Sequence, residues 1–427
     1  MKGHIQQRGT SQRGTSMAKR SHGDGGIDQR GENVYRLRYR VGGKRIAATF
    51  HGTLTEARKE LRRLLKAGDD GQHVDPSKKT LGQWIEEWLA AGAPGRKKRR
   101  VGQRSLERYE QVLNIHVKPA LGKTGLQKLT AAMIDRVYAD IARSKIAPKT
   151  AHLIHVVFGA CLATAHRKGE IANNPMAKVE QVPSLSLQPE NAEEAEVDSI
   201  GEGLSETGLS ALVDGFKSSS SHAIVALAAA TGARRNELLA LRWTDLDVEK
   251  KTLRIERALE QTKKFGIRVK PPKTKRGFRT IDLDQSAVDL LLKAKALHQR
   301  IMAGIPDGVD VDLSLIKLPP NALIFPATPE AGEDFDCTKW RNPINFSHTF
   351  ARRAEAIGFG KTRFHDLRGI HATALLDAGI PVHTVAQRIG DDPAILLRAY
   401  TKRKRSTKAD EELASALASF SGGFLKP

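Results

Sequence analysis

The sequence predicts an α+β protein that is mainly α-helical, carries small β elements and divides into several domains. Its 427 residues exceed the roughly 100–200 residues of one ordinary domain. A helical spacing of apolar residues covers 80–178 and most of the C-terminal half, whereas the alternation typical of strands is confined to short segments near 34–50 and 252–283. We therefore expect an N-terminal strand-and-helix module, a helical bundle and a mixed, mostly helical C-terminal domain.

Composition and charge restrict the class of protein. Lys and Arg outnumber Asp and Glu by 70 to 48, a net charge of +22, and 40% of the residues are apolar, enough to form hydrophobic cores. No apolar run reaches the roughly 18 residues of a membrane span, and the N-terminus lacks the apolar segment of a secretory signal. Two cysteines exclude a disulfide scaffold, and 5% aromatic residues argue against a protein that stacks on single-stranded bases. We therefore expect a cytoplasmic protein with a polyanionic partner, and nucleic acid is the leading class.

Composition also predicts the domain boundaries. We expect a disordered tail over 1–31, a strand-and-helix module over 32–70, a helical bundle over 78–182, a linker over 183–203 and the C-terminal domain over 204–427. The tail is polar and Gly-rich, and it contains Met17 as an alternative start to Met1. The linker is rich in proline and acidic residues, as is typical of segments between domains.

The N-terminal module is predicted from a short alternating pattern. Strands are expected over 34–41 and 44–50 around a Gly-Gly turn, followed by a helix that a capping box of Thr53 and Glu56 begins. One face of the first strand carries a row of three arginines, Arg36, Arg38 and Arg40. Such a row can lie in a DNA groove, and the alternative is a solvated edge strand kept soluble by its charge.

The bundle is predicted from four helical segments. They cover about 81–89, 103–116, 130–144 and 148–168, with Pro and Gly between them. A basic loop interrupts the series, and we expect it to contact DNA through Arg96, Lys97, Lys98, Arg99 and Arg100. Taken alone, this pattern indicates only a small helical domain with a basic rim.

Two stretches of the C-terminal domain carry candidate phosphate-binding residues. In TGARRNELLALRW, Arg234 and Glu237 are neighbours at the start of a helix, where an arginine held by a carboxylate can clamp a phosphate. The commoner meaning of this spacing is a surface ion pair. In PPKTKRGFR, a basic turn between two strands presents Lys273 or Lys275 to a duplex, and the alternative is a solvated charge run.

Two later stretches carry candidate acid, base and nucleophile residues. In RFHDLRGIHAT, His365 and Arg368 share one helical face, and a histidine can pass a proton near neutral pH. In QRIGDDPAILLRAYTKR, Tyr400 lies among basic residues, which favour the phenolate. Each feature alone also fits an ordinary helix surface or a packing tyrosine.

The order of these residues resembles that of the tyrosine recombinases, the phage integrase family. TGARRNELLALRW is similar to the first arginine box of the family, FHDLRGIHATALLDAGI to the second, and RIGDDPAILLRAY to the segment with the nucleophile. The resemblance extends to 80–178 as a core-binding domain and to 34–66 as an arm-type DNA-binding domain. It implies a C-terminal catalytic domain of the DNA breaking-rejoining type.

The resemblance implies a role for each matching residue. Tyr400 would attack a DNA phosphate and form a 3′-phosphotyrosine, while Arg234 and Arg368 would neutralise the non-bridging oxygens. Lys273 would protonate the leaving 5′-oxygen, and Lys275 is the adjacent alternative.

Two further roles and the lack of a cofactor follow from the same resemblance. His365 would act as general acid/base toward the tyrosine, and Glu237 would orient Arg234 or His365. The bond energy is kept in the phosphotyrosine, so neither ATP nor a metal is required, and no His/Cys cluster has metal-ligand spacing.

Asp391 is a departure from the family, which usually has histidine or tryptophan nine residues before the tyrosine. An ionised carboxylate cannot donate a hydrogen bond to the scissile phosphate and would repel it. Asp391 therefore either faces the phosphate and slows the reaction or caps the helix that begins near Pro393. We favour the cap, because a carboxylate that faces the phosphate would be costly.

The resemblance also implies partners. These are core-type and arm-type attachment sites in double-stranded DNA, a homotetramer on that DNA, an excisionase and a DNA-bending host factor, in the nucleoid of a bacterial host. A type IB topoisomerase uses similar residues, but the modular N-terminal half favours an integrase. The alternative from another class is a DNA-binding regulatory protein of the same fold with weakened or lost cleavage.

Overall fold

The chain forms two compact units, Met1–Leu185 and Ser186–Pro427, whose boundary falls in the predicted linker. The computed structural model describes residues 25–41, 44–69, 74, 77–95, 100–183, 204, 206–272, 274–306 and 308–401. Helices dominate both units, and the sheets are small and antiparallel. The predicted fold class, mainly α with small β elements, is confirmed.

The first unit begins with a three-stranded antiparallel sheet covered by one helix. The strands are β1 (Gly26–Gly31), β2 (Val34–Val41) and β3 (Lys44–His51), in that order across the sheet, and the helix is α1 (Leu54–Asp69). Tyr35, Leu37 and Tyr39 of β2 are buried together with Ala57 and Leu61 of the helix. The alternation of β2 therefore places its apolar face on the helix and its arginine face in solvent.

The strand β1 corrects the predicted disordered tail, since its residues fall inside 1–31. Its sequence GIDQRG has one apolar residue and no alternation, and it is held at the sheet edge by backbone pairing with β2. The predicted capping box is confirmed: the Thr53 backbone N–H donates to Glu56 Oε2 at 2.8 Å, and the Glu56 N–H donates to Thr53 Oγ1 at 3.3 Å. The predicted Gly-Gly turn lies outside the described residues.

The rest of the first unit is the predicted helical bundle. Its helices are α2 (Leu81–Ala90), α3 (Gln103–His116), α4 (Lys118–Leu121), α5 (Ala131–Arg143) and α6 (Pro148–Arg167). Trp84, Trp88 and Phe158 lie fully buried in its core, and the Trp84 indole N–H donates to the carbonyl of Cys161 at 3.2 Å. The predicted helical segments are confirmed to within two residues at each end.

The second unit is mostly helical around one large core that includes Phe216 and Phe350. Its helices are α7 (Glu206–Asp214), α8 (His222–Thr231), α9 (Arg235–Leu238), α10 (Gln285–Met302), α11 (Pro343–Ala356), α12 (Asp366–Asp377), α13 (Val382–Ile389) and α14 (Pro393–Thr401). The chain has one buried cysteine in each unit, Cys161 and Cys337, and burial raises the pKa of both thiols. None of the described helices is both long and apolar enough to cross a membrane.

The β elements of the second unit form two small sheets rather than one simple turn. Strands β4 (Leu246–Asp247), β5 (Thr252–Ile255) and β8 (Arg279–Asp282) make one sheet, and β6 (Ala258–Thr262) pairs with β7 (Gly266–Lys270) in another. The predicted strands near 252 and 279 do pair, but a hairpin of its own stands between them. The basic segment around Lys275 therefore links two sheets, which corrects the expected single turn.

Candidate active site

Arg234 is placed by the sharp end of the preceding helix. Gly232, with φ +62°, ends α8 in the left-handed conformation, and Arg234 is then the N-cap of the one-turn helix α9. Glu237 accepts from the Arg234 backbone N–H at 3.0 Å and from its Nη1 at 3.0 Å. The predicted neighbourhood of the two residues at a helix start is thus present.

Glu237 is buried and shared between two arginines. Its Oε2 accepts from Arg279 Nη2 at 2.8 Å, and Arg279 Nε also donates to the Arg388 carbonyl at 2.8 Å. Burial raises the pKa of Glu237, but the guanidinium groups of Arg279 and Arg234 outweigh it and hold that pKa below its usual range. Glu237 therefore stays ionised and fixes Arg234, one of the two residues that the resemblance implies it orients.

Arg279 is a site residue that the sequence reasoning missed. It ends the basic stretch PPKTKRGFR, which predicts a role for its lysines only, and begins β8. Its side chain and that of Glu237 are each only 4% exposed. A lone arginine at the start of a strand is a weak signal, because its carboxylate partner lies 42 residues away.

Arg368 lies in the first turn of α12 and points into the same cluster. Its Nη1 donates to the carbonyls of Gly232, at 2.9 Å, and Ile389, at 2.6 Å. Its Nη2 donates to Asp391 Oδ2 at 2.8 Å. Carbonyls from two helix ends therefore fix this guanidinium on one side, and a carboxylate holds the other.

Asp391 bridges the two predicted clamp arginines. Gly390, with φ +71°, ends α13 and turns the next residue inward, so that Asp391 Oδ1 lies 3.4 Å from Arg234 Nη2. The Gly390 carbonyl accepts from the same Nη2 at 2.9 Å. We call Arg234, Glu237, Arg279, Arg368 and Asp391 the arginine–carboxylate cluster.

The predicted cap role of Asp391 is wrong. The neighbouring Asp392 caps α14 instead: its Oδ1 accepts from the Ala394 backbone N–H at 2.9 Å, and its carbonyl accepts from the Ile395 N–H at 3.0 Å. Two consecutive aspartates precede Pro393, and local sequence cannot tell which one turns toward the helix. The left-handed Gly390 decides it, because it directs the first of them to the arginines.

His365 is the N-cap of α12, three residues before Arg368. Its side chain keeps an exposed surface. Protein packed around the rest of the ring and the guanidiniums of Arg368 and Arg234 lower the pKa of His365. The histidine is therefore neutral at pH 7 and able to accept a proton.

The remaining predicted catalytic residues are only partly described. Lys275 begins a short 3-10 turn, Lys275–Gly277, and is exposed. Its neighbour Arg276 forms an ion pair with Asp392, so the turn lies against the start of α14. Tyr400 belongs to α14, and its side chain lies outside the described part of the chain, as does the whole of Lys273.

The predicted DNA-binding arginines of the N-terminal sheet share its solvent face. Arg36, Arg38 and Arg40 are all exposed, and Arg40 pairs directly with Arg45 of β3. These two like charges repel each other, and a bound anion would relieve the repulsion. Arg38 forms an exposed ion pair with Asp28 at 2.8 Å. In the bundle Arg100 is exposed, and Arg96, Lys97, Lys98 and Arg99 lie outside the described residues.

Within the described residues, no three or more His, Cys, Asp or Glu side chains are grouped so that they could hold a metal ion. The chemistry available to the cluster is instead electrostatic. Two guanidinium groups contact the carboxylate of Asp391, and a neutral histidine is nearby. The helix that carries a tyrosine begins two residues after Asp391, at Pro393. A pair of guanidinium groups can bind a tetrahedral anion through two of its oxygens, such as the two non-bridging oxygens of a phosphodiester.

Comparison with known proteins matches the same segments. The family model described as Phage integrase family matches residues 204–406, and that of the Phage integrase, N-terminal SAM-like domain matches residues 80–148. A tyrosine recombinase XerC-like protein of Caldanaerobacter subterraneus subsp. tengcongensis is 26% identical over 402 residues, 90% of this chain and 96% of the relative. An integrase of Streptomyces ambofaciens is 26% identical over 405 residues, 91% of this chain and 95% of the relative.

The fold has a counterpart among solved structures as well. The Tn1549 transposon integrase in complex with transposon right end DNA superposes with a TM-score of 0.58 at 15% identity, covering 79% of this chain and 99% of that chain. The first family model contains the whole arginine–carboxylate cluster, and the second contains most of the helical bundle.

Proposed function

This chain belongs to the phage integrase family of tyrosine recombinases, enzymes that transfer DNA strands, and we propose from that premise that it integrates and excises a phage or other mobile element. The observation that carries the proposal is the pair Arg234 and Arg368, held side by side on one anion. A phosphodiester in that position would have its developing negative charge neutralised by fixed donors, which is the largest contribution to many such reactions.

The proposed reaction conserves the phosphodiester bond. The Tyr400 oxygen attacks the phosphorus, the bond to the 5′-oxygen breaks, and a 3′-phosphotyrosine and a free 5′-hydroxyl result. A 5′-hydroxyl from the partner duplex then reverses the same step and releases the tyrosine. The atoms and charges balance without ATP, since one phosphate ester replaces another.

The proposed reaction needs one residue that accepts a proton from the tyrosine and another that donates a proton to the leaving oxygen. His365 would take the phenolic proton, which its neutral state at pH 7 permits. Lys273 or Lys275 would give a proton to the leaving 5′-oxygen. The exposed turn Lys275–Gly277 is tied through Arg276 to the start of α14, the helix that carries Tyr400, and this supports a lysine in the same site.

The proposed partners are DNA sites of two kinds. The bundle and the C-terminal unit would bind core-type sites, and the arginine face of the N-terminal sheet would bind arm-type sites. Exchange between two duplexes cuts four strands, and one tyrosine cuts one strand, so we propose a homotetramer on DNA. An excisionase and a DNA-bending host factor would set the direction, in the nucleoid of a bacterial cytoplasm.

One observation favours a second candidate, a DNA-binding regulator that no longer cleaves. Asp391 already occupies the arginine pair and would repel a phosphate. The helix that carries a tyrosine at the expected position favours the enzyme over this alternative.

Replacement of the nucleophile decides between the two. Tyr400→Phe removes one oxygen, and we expect normal affinity for core DNA but no covalent adduct with a nicked suicide duplex. Tyr109→Phe in the bundle, where the ring stacks on Trp88 at 6.3 Å, is the matched control and should form adduct at the wild-type rate. Adduct formation by Tyr400→Phe would show that another residue is the nucleophile, and no adduct from the wild type would favour the regulator.

A further inference from the structure

Groups of the chain itself already accept hydrogen bonds from both Nη atoms of each clamp arginine. Arg368 gives Nη1 to two carbonyls and Nη2 to Asp391, and Arg234 gives Nη1 to Glu237 and Nη2 to the Gly390 carbonyl and Asp391. The Nη2 atoms of both arginines thus meet on the same carboxylate. A phosphate that used these atoms would have to take the place of that carboxylate.

Burial strengthens this conclusion. The side chain of Arg368 is 7% exposed, whereas that of Asp391, which covers its Nη2, is 31% exposed. An incoming anion therefore reaches the carboxylate before it reaches Arg368. Carboxylate and phosphodiester cannot share the position, because two like charges in direct contact repel each other.

We propose that Asp391 is an internal substitute for the scissile phosphate, which holds the arginine pair together in the DNA-free protein and turns out when the phosphate binds. This inference rests on the proposed function of the site. Two guanidiniums this close repel each other: burial, and after it the guanidinium of Arg234, lowers the pKa of Arg368. A bridging anion removes that repulsion and keeps the donors in position before DNA arrives.

The backbone allows the exchange to be a movement of one side chain. The Asp391 backbone N–H donates to the Ala386 carbonyl at 2.9 Å, and Asp392 is fixed as the cap of α14. Rotation of Asp391 about its first side-chain bond would therefore remove the carboxylate from both Nη2 atoms while the helices stay in place and the Gly390 carbonyl keeps its bond to Arg234. Free anions would compete poorly with the resident carboxylate, whereas a phosphate delivered by a docked duplex gains from its many other contacts.

The first experiment measures anion binding without any chemistry. Inorganic phosphate is titrated calorimetrically into the full chain as wild type, Asp391→Asn and Asp284→Asn. Asp284 caps α10, a role that asparagine keeps, and its replacement removes the same charge from the same unit. We expect Asp391→Asn to bind phosphate at least about tenfold more tightly than the wild type and Asp284→Asn to change by less than about twofold.

The second experiment measures single-turnover adduct formation on a nicked suicide duplex. Asp391→Asn should react about tenfold faster than the wild type at unchanged DNA affinity. If this variant is unstable, Asp391→Ser takes its place, because it removes both carboxylate oxygens that bridge the arginines. Phosphate affinity equal to that of Asp284→Asn, or slower cleavage by a folded Asp391 variant, would overturn the inference. If no protein forms adduct, the proposed function fails, and the phosphate titration alone still decides the role of Asp391.

Discussion

His371 lies behind the arginine–carboxylate cluster as a buried, neutral side chain. Its Nδ1–H donates to the Ala229 carbonyl at 3.0 Å, and its Nε2 accepts from Arg388 Nε at 3.2 Å. Burial, and to a smaller extent the guanidinium of Arg388, lowers the pKa of His371 to about 4. The neutral ring ties α12 to α8 and α13, the helices whose ends supply the carbonyls that hold Arg368.

This pKa predicts a loss of stability in mild acid. In the unfolded chain the histidine has a pKa near 6.5 and is protonated in mild acid, whereas in the folded protein it stays neutral down to about pH 4. The stability from this residue is therefore full above about pH 6.5 and falls as the pH drops toward 4. Between pH 7 and pH 5 the loss from this residue should be about 2 kcal/mol. His371→Asn keeps the donor to Ala229 and should flatten the curve by that amount, as measured by urea unfolding at each pH.

The exposed His383 on α13 provides the control. His383→Asn should follow the wild-type dependence of unfolding free energy on pH. If the unfolding free energies of wild type and His371→Asn changed equally with pH, His371 would be protonated in the folded protein. Its Nε2 could then not accept the hydrogen bond from Arg388.

Residue contacts could be predicted only where they are local. Arg234 and Glu237 stand three residues apart, so helix geometry alone made them neighbours. The contacts of Glu237 with Arg279 and of Arg368 with Asp391 span 42 and 23 residues, and they depend on how helix ends meet in space. Charge patterns do not determine such distances, so the sequence predicts neither the role of Arg279 nor the partner of Asp391.

At the scale of elements, the end of α13 is the part that completes the cluster. Gly390 adopts a left-handed conformation, and a Cβ there would lie 2.9 Å from Arg279 Nη1 and 3.0 Å from the Arg276 carbonyl. Glycine is therefore required at this position for two reasons, the left-handed backbone angle and the lack of space for a Cβ.

Gly390→Ala should be unstable and poorly active. The left-handed angle alone costs roughly 1–2 kcal/mol, and the close contacts add to it. Displacement of the Gly390 carbonyl would also release Arg234, so adduct formation should fall with stability. Gly379 is the matched control, with φ +80° and nothing within 4 Å of an added Cβ.

The comparison of the two alanine variants by urea unfolding isolates the crowding. Gly379→Ala should lose only the backbone contribution and keep its adduct formation. Equal losses of unfolding free energy in the two variants would contradict the close packing around Gly390.

Elements with a regular pattern were the ones that the sequence predicted well. The helices of the bundle and the strands β2 and β3 have clear apolar periodicity, and their bounds agree closely with the structure. The strand β1 has none, because an edge strand is specified by its partner's backbone more than by its own side chains. Likewise α9 is a single turn, shorter than the leucine-rich pattern around it suggests.

At the scale of the whole molecule, the surfaces proposed for the two kinds of DNA are separate structures. The N-terminal sheet has its own small core beneath α1, and the bundle has another. Arg36 and Arg40 lie on the face of the sheet that α1 does not cover, and no carboxylate pairs with either among the residues described. Changes on that face should therefore act on arm-type DNA alone.

The double variant Arg36→Gln, Arg40→Gln should lose affinity for arm-type DNA and keep its affinity for core-type DNA. If each arginine neutralises one phosphate, the slope of log affinity against log salt should shrink by about 1.8. Arg58→Gln with Lys59→Gln removes the same charge from the exposed side of α1 and should leave the slope unchanged. An equal effect of both double variants would assign the binding to net charge.

The two buried cysteines give each structural unit its own reporter of opening. Cys161 is fully buried in the bundle and Cys337 is 2% exposed in the C-terminal unit, so neither thiol meets solvent in the closed protein. Alkylation by iodoacetamide then requires a transient opening, and its rate at each cysteine gives the opening free energy of that unit. The natural chain can thus show, peptide by peptide, whether DNA tightens the bundle, the C-terminal unit or both.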